Sequence, residues 1–151
     1  MSAIWWVVIV TAIDQLSKLI ASSHLTLFQV IPVIDGTARL TLAHNPGGAF
    51  SLLPDHGDLI TYISGALSIG LLGLLLFSKQ RPLFFQAGLT LIAGGAWGNL
   101  IDRLRWGYVI DFIDVGTNTW RWPTFNLADS AIVLGTALLA LTLIVREVKA
   151  A

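Results

Sequence analysis

Aspartate and asparagine recur in this chain at the ends of long hydrophobic runs, where a polar group is hardest to accommodate. Trp122-Pro123-Thr124-Phe125-Asn126-Leu127-Ala128-Asp129-Ser130 sets Asn126 and Asp129 at the mouth of the apolar stretch 131–145. Asp14 and Lys18 interrupt a second stretch, and Asn99, Asp102 and Arg103 close a third. Asp111 lies inside the apolar segment Tyr108-Val109-Ile110-Asp111-Phe112. An ionisable group at the lip of a membrane span is costly unless paired or hydrated, so by default it marks a functional site. Two carboxyls sharing such a site repel each other, and one proton is held between them. The ionised member can then activate water while the protonated member polarises a carbonyl, giving hydrolysis without a covalent intermediate. Eight of the nine acidic residues are aspartates and there is no cysteine, so acid–base chemistry here must be aspartate chemistry. Such a pair titrates as a unit, which leaves open the identity of the base.

The elements that must position these groups follow from composition. The 151 residues are 55% hydrophobic and 12% charged, with a mean hydropathy of +0.76. A soluble domain carries about 25% charged residues, so this is a membrane protein. A formal net charge of zero gives no argument for nucleic acid. Without cysteine, disulfides, thiolate metal sites and lipidation of the chain's own thiol are excluded. Three scattered histidines (His24, His44 and His56) read as surface groups, and no metal or cofactor is expected. Crossing the hydrocarbon core takes about 20 mostly apolar residues. Four runs meet that length, roughly 4–21, 59–77, 83–101 and 127–145, in a single domain with no linker or repeat. The first lacks a basic leader and carries Asp14 and Lys18, so it reads as a retained span rather than a signal peptide. Lys79 and Arg81 in the short turn, with Arg146 and Lys149 after the last run, favour both termini inside.

Two long connections remain. In 22–58, the segments 25–31 and 38–43 flank Asp35-Gly36 and predict a strand pair on the outer membrane surface. The second, 104–125, holds Trp106, Tyr108, Trp120 and Trp122, which suit the headgroup region. Four spans bring the end of the first, the end of the third, the start of the fourth and both connections to one membrane side. Every polar group singled out above therefore gathers there, with Asn45. The run Gly94-Gly95-Ala96-Trp97-Gly98 predicts close approach of another helix.

Structural roles compete with chemistry at each position. Asp14 and Lys18, four apart, can neutralise each other on one helix face. Asp102 and Arg103 can anchor a helix end, Asp129 can favour a helix dipole, and Asn45-Pro46-Gly47-Gly48 is a turn by any reading. Asp111 is harder to dismiss, and its neighbour Asp114 reads as a solvent contact in a loop. Rival functions are a Ser–Lys protease using Ser17 or Ser130 with Lys18, a proton or ion carrier using Asp14, Lys18 and Asp129, and a catalytically silent relative.

Five blocks in order carry a family resemblance. They are Asp14-Gln15-Leu16-Ser17-Lys18, Asn45-Pro46-Gly47-Gly48-Ala49-Phe50, Gly94-Gly95-Ala96-Trp97-Gly98-Asn99-Leu100-Ile101-Asp102-Arg103, Val109-Ile110-Asp111-Phe112 and Phe125-Asn126-Leu127-Ala128-Asp129-Ser130. The chain resembles the lipoprotein signal peptidases (type II signal peptidases), aspartyl proteases of the bacterial inner membrane. The resemblance implies an all-α membrane protein of four transmembrane helices, with a small periplasmic β-sheet from the first connection and a short periplasmic helix in the second. It implies that Asp111 and Asp129 form the catalytic dyad. Asp14, Lys18, Asn45, Gly48, Asn99, Asp102, Arg103 and Asn126 would shape the site or hold substrate. The implied substrate is a diacylglyceryl prolipoprotein, cut just before its lipidated cysteine at the periplasmic face. Globomycin would block the site, and a monomer in contact with membrane lipid is expected. Gly48 stands where alanine is common in the family.

Overall fold

A computed structural model describes residues 3–46, 57–78 and 81–150. Among these, four helices and three strands follow in the order α1 (Ala3–His24), β1 (Val30–Ile34), β2 (Ala38–Asn45), α2 (Gly57–Phe77), α3 (Leu83–Trp106), β3 (Val109–Val115) and α4 (Leu127–Ala150). Gly48, Lys79 and His56 lie outside the described residues.

The helix α3 is the centre of the molecule and touches each of the other three. It starts after Pro82 and ends where Gly107 takes a left-handed backbone (φ 78°) and donates its N–H to Arg103 O. That stop is the usual one for a helix, since glycine adopts the conformation without steric penalty. The predicted small-residue face does what its spacing suggests. A Cβ at Gly95 would collide with the Ala128 carbonyl, and one at Gly98 with the Asp14 carboxylate, so α4 and α1 seat directly on the α3 backbone. Around that axis the cluster Val7, Leu75, Leu89 and Ala93 ties α1, α2 and α3 together.

Among the described residues, three helical segments are long and apolar enough to cross a membrane: Ala3–His24, Asp58–Phe77 and Leu127–Val145. Their outward side chains, such as Leu19, Leu67 and Leu134, are exposed and apolar. The third predicted span, 83–101, falls within α3 but is not one of the three. The reason is its position. A helix packed on by three others can carry glycine, Asn99 and Asp102 on faces buried within the protein, which lowers its hydropathy.

The strands form one antiparallel sheet in the order β1-β2-β3. The turn at Asp35-Gly36 lies where the sequence placed it, with Gly36 at φ 67°. The first strand does not begin at residue 25. Leu25 continues the α1 hydrogen bonding through Ala21 O, and a turn closed from Gln29 N–H to Thr26 O delays β1 to Val30. The expected short helix in the second connection is also absent: residues 107–126, all described, hold β3 and an irregular return. Val109, Ile110, Ile113 and Val115 are β-branched and pair with β2, an arrangement that wins over any helical tendency. Ala21, Leu25, Leu42, Ile110 and Phe112 pack beneath the sheet, fixing β3 to the end of α1.

Candidate active site

Asp111 enters the site from β3 and Asp129 from the first turn of α4. The start of α4 is a reciprocal cap. Asp129 N–H donates to Asn126 Oδ1 at 2.9 Å, and Asn126 N–H donates to Asp129 Oδ2 at 3.2 Å. This is a capping box with aspartate in the position usually held by glutamate. Ala128 N–H, the next open donor of that turn, finds Asp14 Oδ1 at 2.9 Å. The helix start is thereby satisfied by its own asparagine and by α1.

Two amides join the carboxylates. Asn126 Nδ2 donates to Asp111 Oδ1 at 2.7 Å and to Asn99 Oδ1 at 3.2 Å. Asn99 Nδ2 donates to Asp129 Oδ1 at 2.8 Å. Lys18 Nζ donates to Asn99 Oδ1 at 2.9 Å, and an ammonium can only donate. The Asn99 amide is therefore oriented by Lys18, so its NH₂ must face Asp129. Asn45 Nδ2 completes the set by donating to Asp111 Oδ2 at 3.0 Å.

Beneath the two aspartates lies an ionic floor. Lys18, only 1% exposed, sits 2.8 Å from both Asp14 Oδ2 and Asp102 Oδ2. The predicted intrahelical pairing of Asp14 with Lys18 is present, but Lys18 serves α3 as well. Asp102 also accepts from Ile110 N–H at 3.1 Å, so its carboxylate holds β3 to α3 beside Asp111. Gln15 bridges this floor, donating to Asp102 Oδ1 at 2.8 Å and to Gly98 O at 3.1 Å. Buried charges need such complete pairing, because losing one partner leaves an uncompensated ion.

Asp111, Asp129, Asn45, Asn99 and Arg103 all line one cavity of about 540 Å³. Its remaining walls include Leu67 and Leu71 of α2, Ile92 of α3, Ile132 and Val133 of α4, and the segment 122–125. The cavity is thus polar at one end and apolar along its length. Arg103 donates weakly to Asn99 O (3.4 Å), and its buried Nε has no partner among the described residues. Burial pushes the Asp111 carboxyl up from 3.8 to about 7, and the nearby charge of Asp129 adds to it. Hydrogen bonds from Asn45 and Asn126 oppose that rise without cancelling it. Asp111 therefore holds a proton well into the range where ordinary carboxyls have lost theirs.

Nine of the ten residues expected at the site are described, and all belong to this one connected cluster. Gly48 alone lies outside the described residues. Ser17 Oγ donates to Asp14 O and Ser130 Oγ to Asn126 O, while Lys18 is held by two carboxylates. That arrangement offers neither serine a free base. Sequence reasoning missed Gln15, although a polar residue between Asp14 and Lys18 in an apolar run was the available signal. It also misread Asp114. This carboxylate is 4% exposed rather than solvated, with Arg121 Nε at 2.8 Å on one oxygen and Arg39 Nε on the other. His44 is exposed, as expected, and stacks on Tyr108.

The chain is similar to known proteins over nearly its whole length. Residues 6–145 match the family model described as signal peptidase (SPase) II. A lipoprotein signal peptidase from Geobacter sulfurreducens is 43% identical over 139 residues, covering 89% of this chain and 86% of the relative. Another from Acinetobacter baylyi is 44% identical over 131 residues, covering 84% and 73%. A bacterial membrane enzyme solved by the in meso method at 2.3 Å resolution superposes with a TM-score of 0.81 at 30% identity, covering 94% of this chain and 87% of that one. A second, at 1.9 Å, gives a TM-score of 0.79 at 32% identity, covering 93% and 91%.

Proposed function

The chain belongs to the signal peptidase II family, multi-pass membrane proteases, and from that premise we propose that it is an aspartic endopeptidase with Asp111 and Asp129 as its dyad. Its substrates are diacylglyceryl-modified prolipoproteins, cut immediately before the lipidated cysteine. The observation that carries this reading is the amide frame. Asn126 and Asn99 hold the two carboxylates on one cavity, and Asp111 is buried enough to keep a proton.

In this mechanism one proton is shared by the pair, and one carboxylate is ionised. The ionised carboxylate takes a proton from water as the water oxygen adds to the scissile carbonyl carbon. The protonated carboxyl donates its proton to the carbonyl oxygen. The tetrahedral intermediate collapses by breaking the C–N bond: one of its hydroxyls returns a proton to the ionised carboxylate to form the new carboxyl product, while the protonated carboxyl gives its proton to the departing cysteine nitrogen. One water is consumed, and the dyad returns to its starting state. Arg103 and Asn45 are placed to hold the substrate backbone, which would be costly to leave unsatisfied near lipid. Gly48 and the buried floor of Asp14, Lys18 and Asp102 shape the site.

All four helices span the bacterial inner membrane in this reading. The sheet and site face the periplasm, both termini face the cytoplasm, and the protein works as a monomer. A lipid-modified peptide then meets the dyad with its acyl chains still in the bilayer and its scissile bond at the surface. Globomycin occupies the same cavity. The test is cleavage of a lipidated prolipoprotein by the wild type, Asp111→Asn and Asp129→Asn, each confirmed folded in detergent. Loss in both variants with globomycin-sensitive wild-type activity is expected, and cleavage surviving in either would move the chemistry elsewhere.

A further inference from the structure

Asp114 lies three residues beyond Asp111 on the same strand, and the proposed mechanism does not use it. Nor does it behave as a surface charge. Its two carboxylate oxygens take Arg39 of β2 and Arg121 of the return segment, and its main-chain O accepts from Arg121 Nη2 at 2.9 Å. The return segment is folded tightly around this anchor. Gly116 N–H donates to Thr37 O, Thr117 N–H to Trp120 O and Trp122 N–H to Val115 O. A Cβ at Gly116 would strike the Trp120 carbonyl and Arg121 Cα. The segment then runs back along β3, where Phe125 N–H donates to Ile113 O and Phe125 O accepts from Phe112 and Ile113 N–H. Residues 122–125, which follow Arg121 directly, form part of the wall of the cavity that Asp111 and Asp129 share.

We propose that Asp114, with Arg39 and Arg121, is a positioning cluster that sets the distance between the dyad-bearing strand and the 122–125 wall, and so determines how tightly lipidated substrate is held. This rests on the dyad reading of the cavity. Asp114 does not line the cavity. One carboxylate fixes both the strand and the wall to the same frame, so a small displacement of the wall changes the fit around the substrate while leaving the reacting groups in place. A fork-shaped donor is needed at Arg121, because Nε and Nη2 engage different Asp114 atoms and a lysine cannot reach both.

The experiment compares wild type, Asp114→Asn, Arg121→Lys and the double variant on a lipidated prolipoprotein in detergent, with Asp111→Asn as control. Hydrogen exchange is followed in residues 116–125. Each single variant is expected to raise KM about fivefold with kcat within about twofold, because coupled residues share one interaction. The double variant should resemble the singles. The pH limb near 7 should stay in place, and amides of 116–125 should exchange faster. An unchanged KM with unchanged exchange overturns the proposal, as does a fall in kcat with a moved pH limb. If Asp114→Asn fails to fold, Arg121→Lys carries the same two readouts. Cleavage by Asp111→Asn would instead sink the dyad reading, and the exchange result would still decide the role of Asp114.

Discussion

Asp111 and Asp114 occupy one strand three residues apart and are 2% and 4% exposed, yet they live in opposite electrostatic worlds. Alternation sends them to opposite faces of the sheet. Asp114 meets two guanidinium groups. Asp111 is hydrogen-bonded to two neutral amides, and the charge of Asp129 acts on it more strongly than the opposing charge of Lys18. Amides can satisfy a carboxylate geometrically without compensating its charge, so burial is free to raise its proton affinity. Guanidinium groups compensate the charge and fix the geometry. Burial alone does not make a carboxyl reactive. The partner type decides whether a buried acid serves as chemistry or as a fastener.

The largest effect should come from taking the carboxyl away on each face. Asp111→Asn is expected to lower kcat by about 10³-fold or more, the scale of a lost acid–base group, while Asp114→Asn leaves kcat nearly intact. Cleavage rates measured at saturating substrate distinguish the two. The next contrast is between ion pairs. Lys18→Met strands Asp14 and Asp102 in the interior and should destabilise the protein by about 3–5 kcal/mol, read from denaturant unfolding in detergent.

A third test gives Asp111 the kind of partner that Asp114 has. In the wild type the Asp111 proton is retained below about 7, so activity should fall as pH rises through that value. Folding linkage has the same sign. The folded-state proton affinity is raised, so the associated stability is fully present below pH 3.8 and is lost as pH rises to about 7. Asn45→Lys places a cation beside Asp111 and should move the alkaline limb of the pH–rate profile to lower pH by about one pH unit or more. A limb that stays near 7 would show that Asp111 does not govern it. The smallest effect belongs to Arg39→Ala. Its side chain is 37% exposed, so removing it should change stability by less than about 1 kcal/mol in the same unfolding assay.

The clustering of Asp111, Asp129 and the floor was legible because polar residues inside apolar runs are rare, and the order of the apolar runs brings them to one end. Asn99, Asn126 and Lys18 could be placed in the cluster that way, although their donor and acceptor roles could not. Asp114 was illegible for a different reason. Its partners lie 75 and 7 residues away, and Asp114-Val115-Gly116-Thr117-Asn118 has the composition of an exposed loop. Nothing local announces a charge pair that the sheet register creates by setting Arg39 against Asp114. The second connection was read as part helical, while cross-strand pairing with β2 made it extended. For α3, hydropathy suggested a span among equals. Its glycines pointed to the more specific role, an axis on which α1 and α4 rest.

The cap at the start of α4 has a consequence in time. Asp129 acquires its orientation only when Asn126 and the first turn of that helix have closed on each other, and Ala128 must also find Asp14, contributed by α1. Synthesis delivers Asp14 long before Asp111 and Asp129. Until Asn126 and Asp129 are made and that turn closes, nothing holds the Asp111 and Asp129 carboxyls to one frame. Closure of the first turn of α4 is therefore the step that assembles the cluster.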